Sequence, residues 1–242
     1  MLHSPGILLL LLLAGSACNY EKESKIEVLP VSSIKTEKVE DYSEHIKKSL
    51  KLRDSLSKVF NSASTDQQSK ILRDAAGLFT EVMTNEIFPP WYGTAWDFNG
   101  TTQEPGKGFI ACGYFVTTTL RDAGLKIQRI KTAQQAAEVI VSIIASKEST
   151  KRFSDASIET IKKSMKERGD GLYIVGLDFH VGFLQQTGDT TWFIHSNYLN
   201  RSGVMKESPW ENSVFYHSRY KVIAKIDDDR KVLENWLRKI KT

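Results

Sequence analysis

The chain has 242 residues, 33 basic and 29 acidic, giving a formal charge of +4. Acids and bases alternate along it, with no basic stripe carrying interleaved aromatics, so nucleic-acid binding is set aside. About 225 residues remain after an apolar leader, ample for one α+β or α/β domain with its own core.

The leader comes first. Residues 7–14 read ILLLLLLA, too short to span a bilayer as a mature helix. Small residues follow and end at Cys18, as at a secretory cleavage region, so residues 1–17 are expected to be a signal peptide. A cysteine directly after small residues resembles a bacterial lipobox, where the thiol is acylated and becomes the new N-terminus. That resemblance implies a lipid on Cys18, a membrane-anchored mature chain, and a place in the cell envelope facing the periplasm or the surface. Two positions depart from the pattern: residues 1–6 lack Lys and Arg, and Gly15 stands where Leu is usual.

Residues 18–40 are polar and charged and read as a tether. Residues 41–242 are expected to form a single domain. Helical spacing runs through Ile46, Leu50, Leu56 and Phe60. Ser64-Thr65-Asp66 offers a second helix start, with an apolar stripe from Ile71 to Met83, and Pro89-Pro90 ends it. Residues 91–108, rich in Gly, Thr, Asn and aromatics, read as a functional loop. The stretch GFIACGYFVTTTL at 108–120 is ambiguous. Val116 to Thr119 favour a strand, whereas the spacing of Cys112, Phe115, Val116, Thr119, Leu120 and Ala123 fits one helix face. Further helices are expected over 132–145 and 154–168, the latter capped by Ser154 or Asp155. The period then changes. Strands are expected over 172–186 and 191–198, as a hairpin turning at TGDT, with two more within 202–208 and 214–226. A charged helix over 227–241 closes the chain. Helices first and an antiparallel sheet second define an α+β fold.

With Cys18 lipidated no intrachain disulfide can form, which leaves Cys112 as a free thiol in an extracytoplasmic chain. Two readings follow: a small buried hydrophobe, or a nucleophile activated by a histidine or a helix N-terminus. Of five histidines, His3 leaves with the leader and His45 reads as a solvated helix residue. His180 and His195 fall on strands expected to pair. Gly106 and Gly108 permit a tight loop delivering Cys112 to a helix start, where unpaired N–H groups could also serve an oxyanion. His180 would act as base and then acid, and His195 would orient it. Asn197 is the alternative orienter and Asp178 a weaker one. Zinc on Cys112, His180 and His195 is the rival reading. No Cys-x-x-Cys, His-x-x-x-His or His-x-x-Glu-His spacing supports it, so no metal or other cofactor is expected. No Gly-x-Ser-x-Gly elbow supports a serine hydrolase.

The order of Cys112, His180-Val181-Gly182 and Ile194-His195 resembles the NlpC-type cell-wall peptidases of the papain-like superfamily. In that family a Cys opens a helix, a strand carries HVG, and its hairpin partner ends in IH. Tyr92, Gly93 and Trp96 sit in a loop comparable to the family's Tyr- and Trp-Gly-rich loop, which implies substrate contacts for Tyr92 and Trp96. The match covers roughly residues 91–200. Two departures stand: Ala111-Cys112-Gly113-Tyr114 replaces Asp-Cys-Ser-Gly, and the segment between Cys112 and His180 is longer than usual. The resemblance implies a papain-like arrangement of helices on an antiparallel sheet, and hydrolysis of amide bonds in peptidoglycan stem peptides by Cys112, His180 and His195. The competing expectations are a non-catalytic lipoprotein that binds glycan or peptide through Trp91, Tyr92, Trp96 and Phe98, and a thiol hydrolase acting on a different amide, lipid or protein.

Overall fold

The computed structural model describes residues 41–241; the expected signal peptide and tether, with Cys18, lie outside the described residues. Helix α1 (Tyr42–Ser62) begins at Asp41, whose carboxylate accepts the Ser43 N–H. Helix α2 (Thr65–Glu81) begins at Ser64, where Gln67 Oε1 accepts the Ser64 N–H at 3.0 Å. The α2 stripe buries Ile71, Ala75 and Phe79. Its last turn widens into a π-helical segment (Val82–Ile87), and a 3-10 turn (Pro89–Trp91) follows where the paired prolines forbid a longer helix. His45 is not solvated as expected, because its Nδ1 pairs with Glu86 Oε2 at 2.9 Å.

Helix α3 (Cys112–Asp122) forms although Val116 to Thr119 are poor helix formers. Burial overrides propensity here. Phe115, Val116 and Leu120 are fully buried, and the Thr117 and Thr119 hydroxyls donate to Gly113 O and Phe115 O, each at 2.9 Å. The helix expected over 132–145 is two helices, α4 (Arg129–Ala133) and α5 (Ala137–Ile144), separated by extended Ala136. The break lets α4 lie against α3 while α5 buries Ile140, Val141 and Ile144 over the sheet. An unforeseen edge strand, β1 (Thr150–Ser154), precedes α6 (Ile158–Arg168). The α6 cap is Ser157, whose Oγ accepts the Thr160 N–H; Ser154 belongs to β1, and Asp155 has a left-handed φ of 48°.

The single strand expected over 172–186 is a hairpin, β2 (Gly171–Leu177) and β3 (Val181–Thr187), turning through residues 178–180. Strands β4 (Thr190–Asn197) and β5 (Gly203–Glu207) follow. The last expected strand divides into a short helix, α7 (Val214–His217), and β6 (Tyr220–Lys225), and α8 (Arg230–Arg238) ends the fold. All pairings are antiparallel, in the order β1-β6-β2-β3-β4-β5.

Both sheet faces are covered. Leu172, Ile174, Phe183, Ile194 and Val222 pack beneath Phe79, Phe115, Ile140 and Trp236 from α2, α3, α5 and α8. Tyr173, Val175, Leu184, Phe193 and Ile223 meet Ile161 and Met165 of α6 and Phe215 of α7. Double burial explains why β2 reads as an unbroken apolar run rather than an alternation. The described residues form an α+β fold of eight α-helices on one six-stranded antiparallel sheet. No helix among them is long and apolar enough to cross a membrane.

Candidate active site

Cys112 is the first residue of α3, and its approach is fixed from several sides. Gly106 and Gly108 take left-handed φ values of 71° and 66° in the preceding loop. The Ala111 N–H donates to Gly100 O at 2.9 Å. Ser196 Oγ, next to His195 on β4, donates to Ile110 O at 2.7 Å and ties the Cys112 approach to the sheet. Position 113 must be glycine, since a Cβ there would lie 2.3 Å from Ala133 O, against which α4 closes the turn. Cys112 is a half-buried residue. Burial pushes its thiol pKa up, while the N–H groups of Val181, Gly113 and Cys112 itself pull it down.

His180 ends the β2–β3 turn rather than interrupting a strand, and its ring is buried. The turn is held by Asp178, whose carboxylate accepts Ser218 Oγ–H and the Arg219 N–H at 2.7 Å and the Tyr220 N–H at 3.1 Å. Asp178 therefore anchors the loop to the start of β6 instead of orienting His180 through its carboxylate. His180 Nε2 lies 2.8 Å from His195 Nδ1, and His195 Nε2 lies 2.9 Å from Glu207 Oε1 on β5. His195 also stacks on Phe193 at 3.9 Å. Gly182, of the HVG sequence, makes this approach possible: a Cβ there would sit 2.9 Å from His195 Cβ and 2.7 Å from the Phe193 ring. Asn197 takes another role, accepting the Leu199 N–H at 2.9 Å and reaching Met205 Sδ.

The chain of contacts fixes the tautomers. The Glu207 carboxylate accepts from His195 Nε2–H, which leaves His195 Nδ1 to accept from His180 Nε2–H. His180 Nδ1 then carries a lone pair, and it is a buried ring nitrogen with no hydrogen-bond partner among the described residues. Burial holds the pKa of His180 well below the ordinary range, with His195 adding to the effect, and burial lowers His195 to about 3. Both imidazoles are neutral at pH 7. Glu207, absent from the sequence expectation, sits on β5 where His195 pairs with Met205, two positions away on the same face.

Cys112 and His180 line one cleft of about 850 Å³. Trp96 also lines it, with Phe98, Tyr114, Phe179 and Tyr198. Tyr92 is not among the lining residues. Trp91 does not belong to an aromatic platform either: it is fully buried, donating through Nε1 to Tyr42 Oη at 2.9 Å and packing on Phe115. Among the described residues no group of three or more His, Cys, Asp or Glu side chains is placed to hold a metal ion. No protein-family model, curated protein or solved structure matches the chain.

Proposed function

We propose that the chain is a papain-like cysteine hydrolase of the NlpC type that cleaves amide bonds, with peptidoglycan stem peptides as its substrate. The reading rests above all on one observation: Cys112 and His180 line one cleft, and His180, backed by His195 and Glu207, keeps a buried Nδ1 with no hydrogen-bond partner among the described residues. The substrate assignment rests on the Cys112, HVG and IH order, and a lipid on Cys18 would place the enzyme in the cell envelope, anchored to a membrane.

The chemistry follows from the resting protonation states. A raised thiol in one cleft with a neutral imidazole calls for general-base catalysis at the moment of attack rather than a standing ion pair. Cys112 Sγ bonds to the amide carbonyl carbon as its proton passes to His180 Nδ1. His195 holds the imidazolium in position through His180 Nε2–H, and the Glu207 carboxylate supplies the compensating charge. The helix N-terminus at Cys112 favours the negative oxygen of the tetrahedral intermediate. As the C–N bond breaks, His180 returns the proton to the leaving amine and a thioester remains. Water then attacks the thioester carbon and gives a proton to His180. The C–S bond breaks, the carboxylic acid leaves, and the proton returns to sulfur.

The test is release of soluble fragments from purified peptidoglycan by the wild-type chain and by Cys112→Ala. Release is expected from the wild type and at least about a hundredfold less from the variant. Equal release by the two would end the proposal. A non-catalytic binder, the competing class, would leave Cys112 no more reactive toward alkylating agents than an ordinary buried thiol.

A further inference from the structure

We infer that the Cys112 cleft accepts an uncharged, apolar group beside the carbonyl that is attacked, and selects against substrates carrying a carboxylate or an ammonium there. The inference rests on the reading of Cys112 as the nucleophile, and among the amide bonds of a stem peptide it singles out those whose acyl side carries no free charge.

Fourteen of the described residues line the cleft, and none is Asp, Glu, Lys or Arg. The chain is 26% charged, so a random surface of that size would hold about three or four such residues. The other large concavities show the contrast: one of about 450 Å³ is lined by Arg53, Arg121, Lys126, Lys239 and Lys241. Polarity within the cleft comes from neutral side chains, Asn99, Thr101, Gln134 and Gln135, and from a His180 that burial keeps uncharged. These can hydrogen-bond an amide backbone, but they cannot neutralise a buried charge. The nearest acid of the same loop, Asp97, is not among the lining residues, and its carboxylate accepts the Asn99 N–H at 2.9 Å.

The aromatic side chains point the same way. Phe179 is 92% exposed and Phe98 80% exposed, and both line the cleft. Large apolar side chains left open beside a reactive group mark a surface that gains by covering an apolar ligand. Trp96 and Tyr198 meet at 6.1 Å, and Tyr198 meets the His180 ring at 5.4 Å, so the apolar surface continues to the base. A bound aliphatic or aromatic group would desolvate these rings, whereas a carboxylate would lose its own hydration with no charged side chain among the lining residues to receive it.

The test compares two alkylating agents with the same reacting carbon, N-benzyl-iodoacetamide and N-(carboxymethyl)iodoacetamide. Each forms an S–C bond to Cys112 and expels iodide, and the thiol proton goes to His180 and then to solvent. Rates on the native full chain are read at Cys112 by peptide mass spectrometry, because Cys18 is the other thiol. The benzyl-to-carboxymethyl rate ratio, divided by the same ratio on N-acetylcysteine, is expected to be about tenfold or more. Phe98→Ser with Phe179→Ser should bring that ratio down toward one, and Gln134→Lys should shift it toward the anionic reagent. A normalised ratio within twofold of one, an inverted ratio, or no labelling of native Cys112 by either reagent overturns the inference. The hydrolase reading is judged separately, by absolute rate. If plain iodoacetamide alkylates Cys112 no faster in the wild type than in His180→Ala, that reading fails whatever the ratio.

Discussion

At the scale of single residues, the decisive atoms are ring nitrogens. His180 has two: one is engaged by His195, the other is buried with no partner among the described residues, and the residue itself lines a cleft shared with Cys112. Leaving a buried acceptor unpaired costs about 1–3 kcal/mol, so a fold that keeps one invites a functional explanation. Glu207 sets which nitrogen is unpaired, since its carboxylate can only accept from His195 and so imposes the Nε2–H tautomer on each ring in turn. Nitrogen-correlated NMR of the wild type at pH 7 is expected to show both rings neutral with the proton on Nε2. Glu207→Ala should release that constraint, mix the tautomers, and lower Cys112-dependent hydrolysis by about tenfold or more. Retention of a single tautomer and full activity would remove Glu207 from the mechanism. Cys112, His180 and His195 could be picked out in the sequence because free thiols and histidines are few. Glu207 could not, because it is one of 29 acids, and only the β4–β5 register brings it to His195.

At the scale of elements, apolar and β-rich composition broken at TGDT found the β3–β4 hairpin, and periodicity found the long helices. Periodicity failed where burial or a kink masks the period. β2 is buried on both faces, so nothing in its composition marks where it stops, and the turn at Asp178-Phe179-His180 looks in the sequence like continued strand. β1 carries Lys151 and Arg152 on an edge, which hides it among polar residues. The misplaced turn matters for function, because it moves His180 from the middle of a strand to a loop end that must be held. Asp178 holds it with three bonds to the start of β6. Asp178→Ala is therefore expected to speed amide hydrogen exchange at residues 178–180 and to cut kcat several-fold. Because the side chain is exposed, the change in global stability should stay within about 1 kcal/mol. Unchanged exchange in the turn, or a loss of activity matched by global unfolding, would count against a positioning role.

At the scale of the whole molecule, the two neutral imidazoles tie stability to pH. In the unfolded chain both take protons near 6.5, whereas in the fold His195 resists until about 3 and His180 is also held well below its ordinary range. Below pH 6.5 the unfolded state therefore binds more protons, and stability falls as pH falls, with a slope for each ring that grows toward about 1.4 kcal/mol per pH unit as the unfolded ring becomes fully protonated. Buried Asp122 and Asp227 act in the opposite sense, because burial raises their carboxyls and the folded state takes up protons first on acidification. The histidine share can be isolated as a difference between proteins in which those aspartates are common. Between pH 6.5 and 5 the wild type should lose about 3 kcal/mol more stability than a His180→Gln, His195→Gln double variant, since glutamine does not titrate. Denaturant unfolding at the two pH values measures both losses directly. Parallel losses in the two proteins would mean that the rings are not held neutral by burial, and the general-base route from Cys112 to His180 would lose its physical footing.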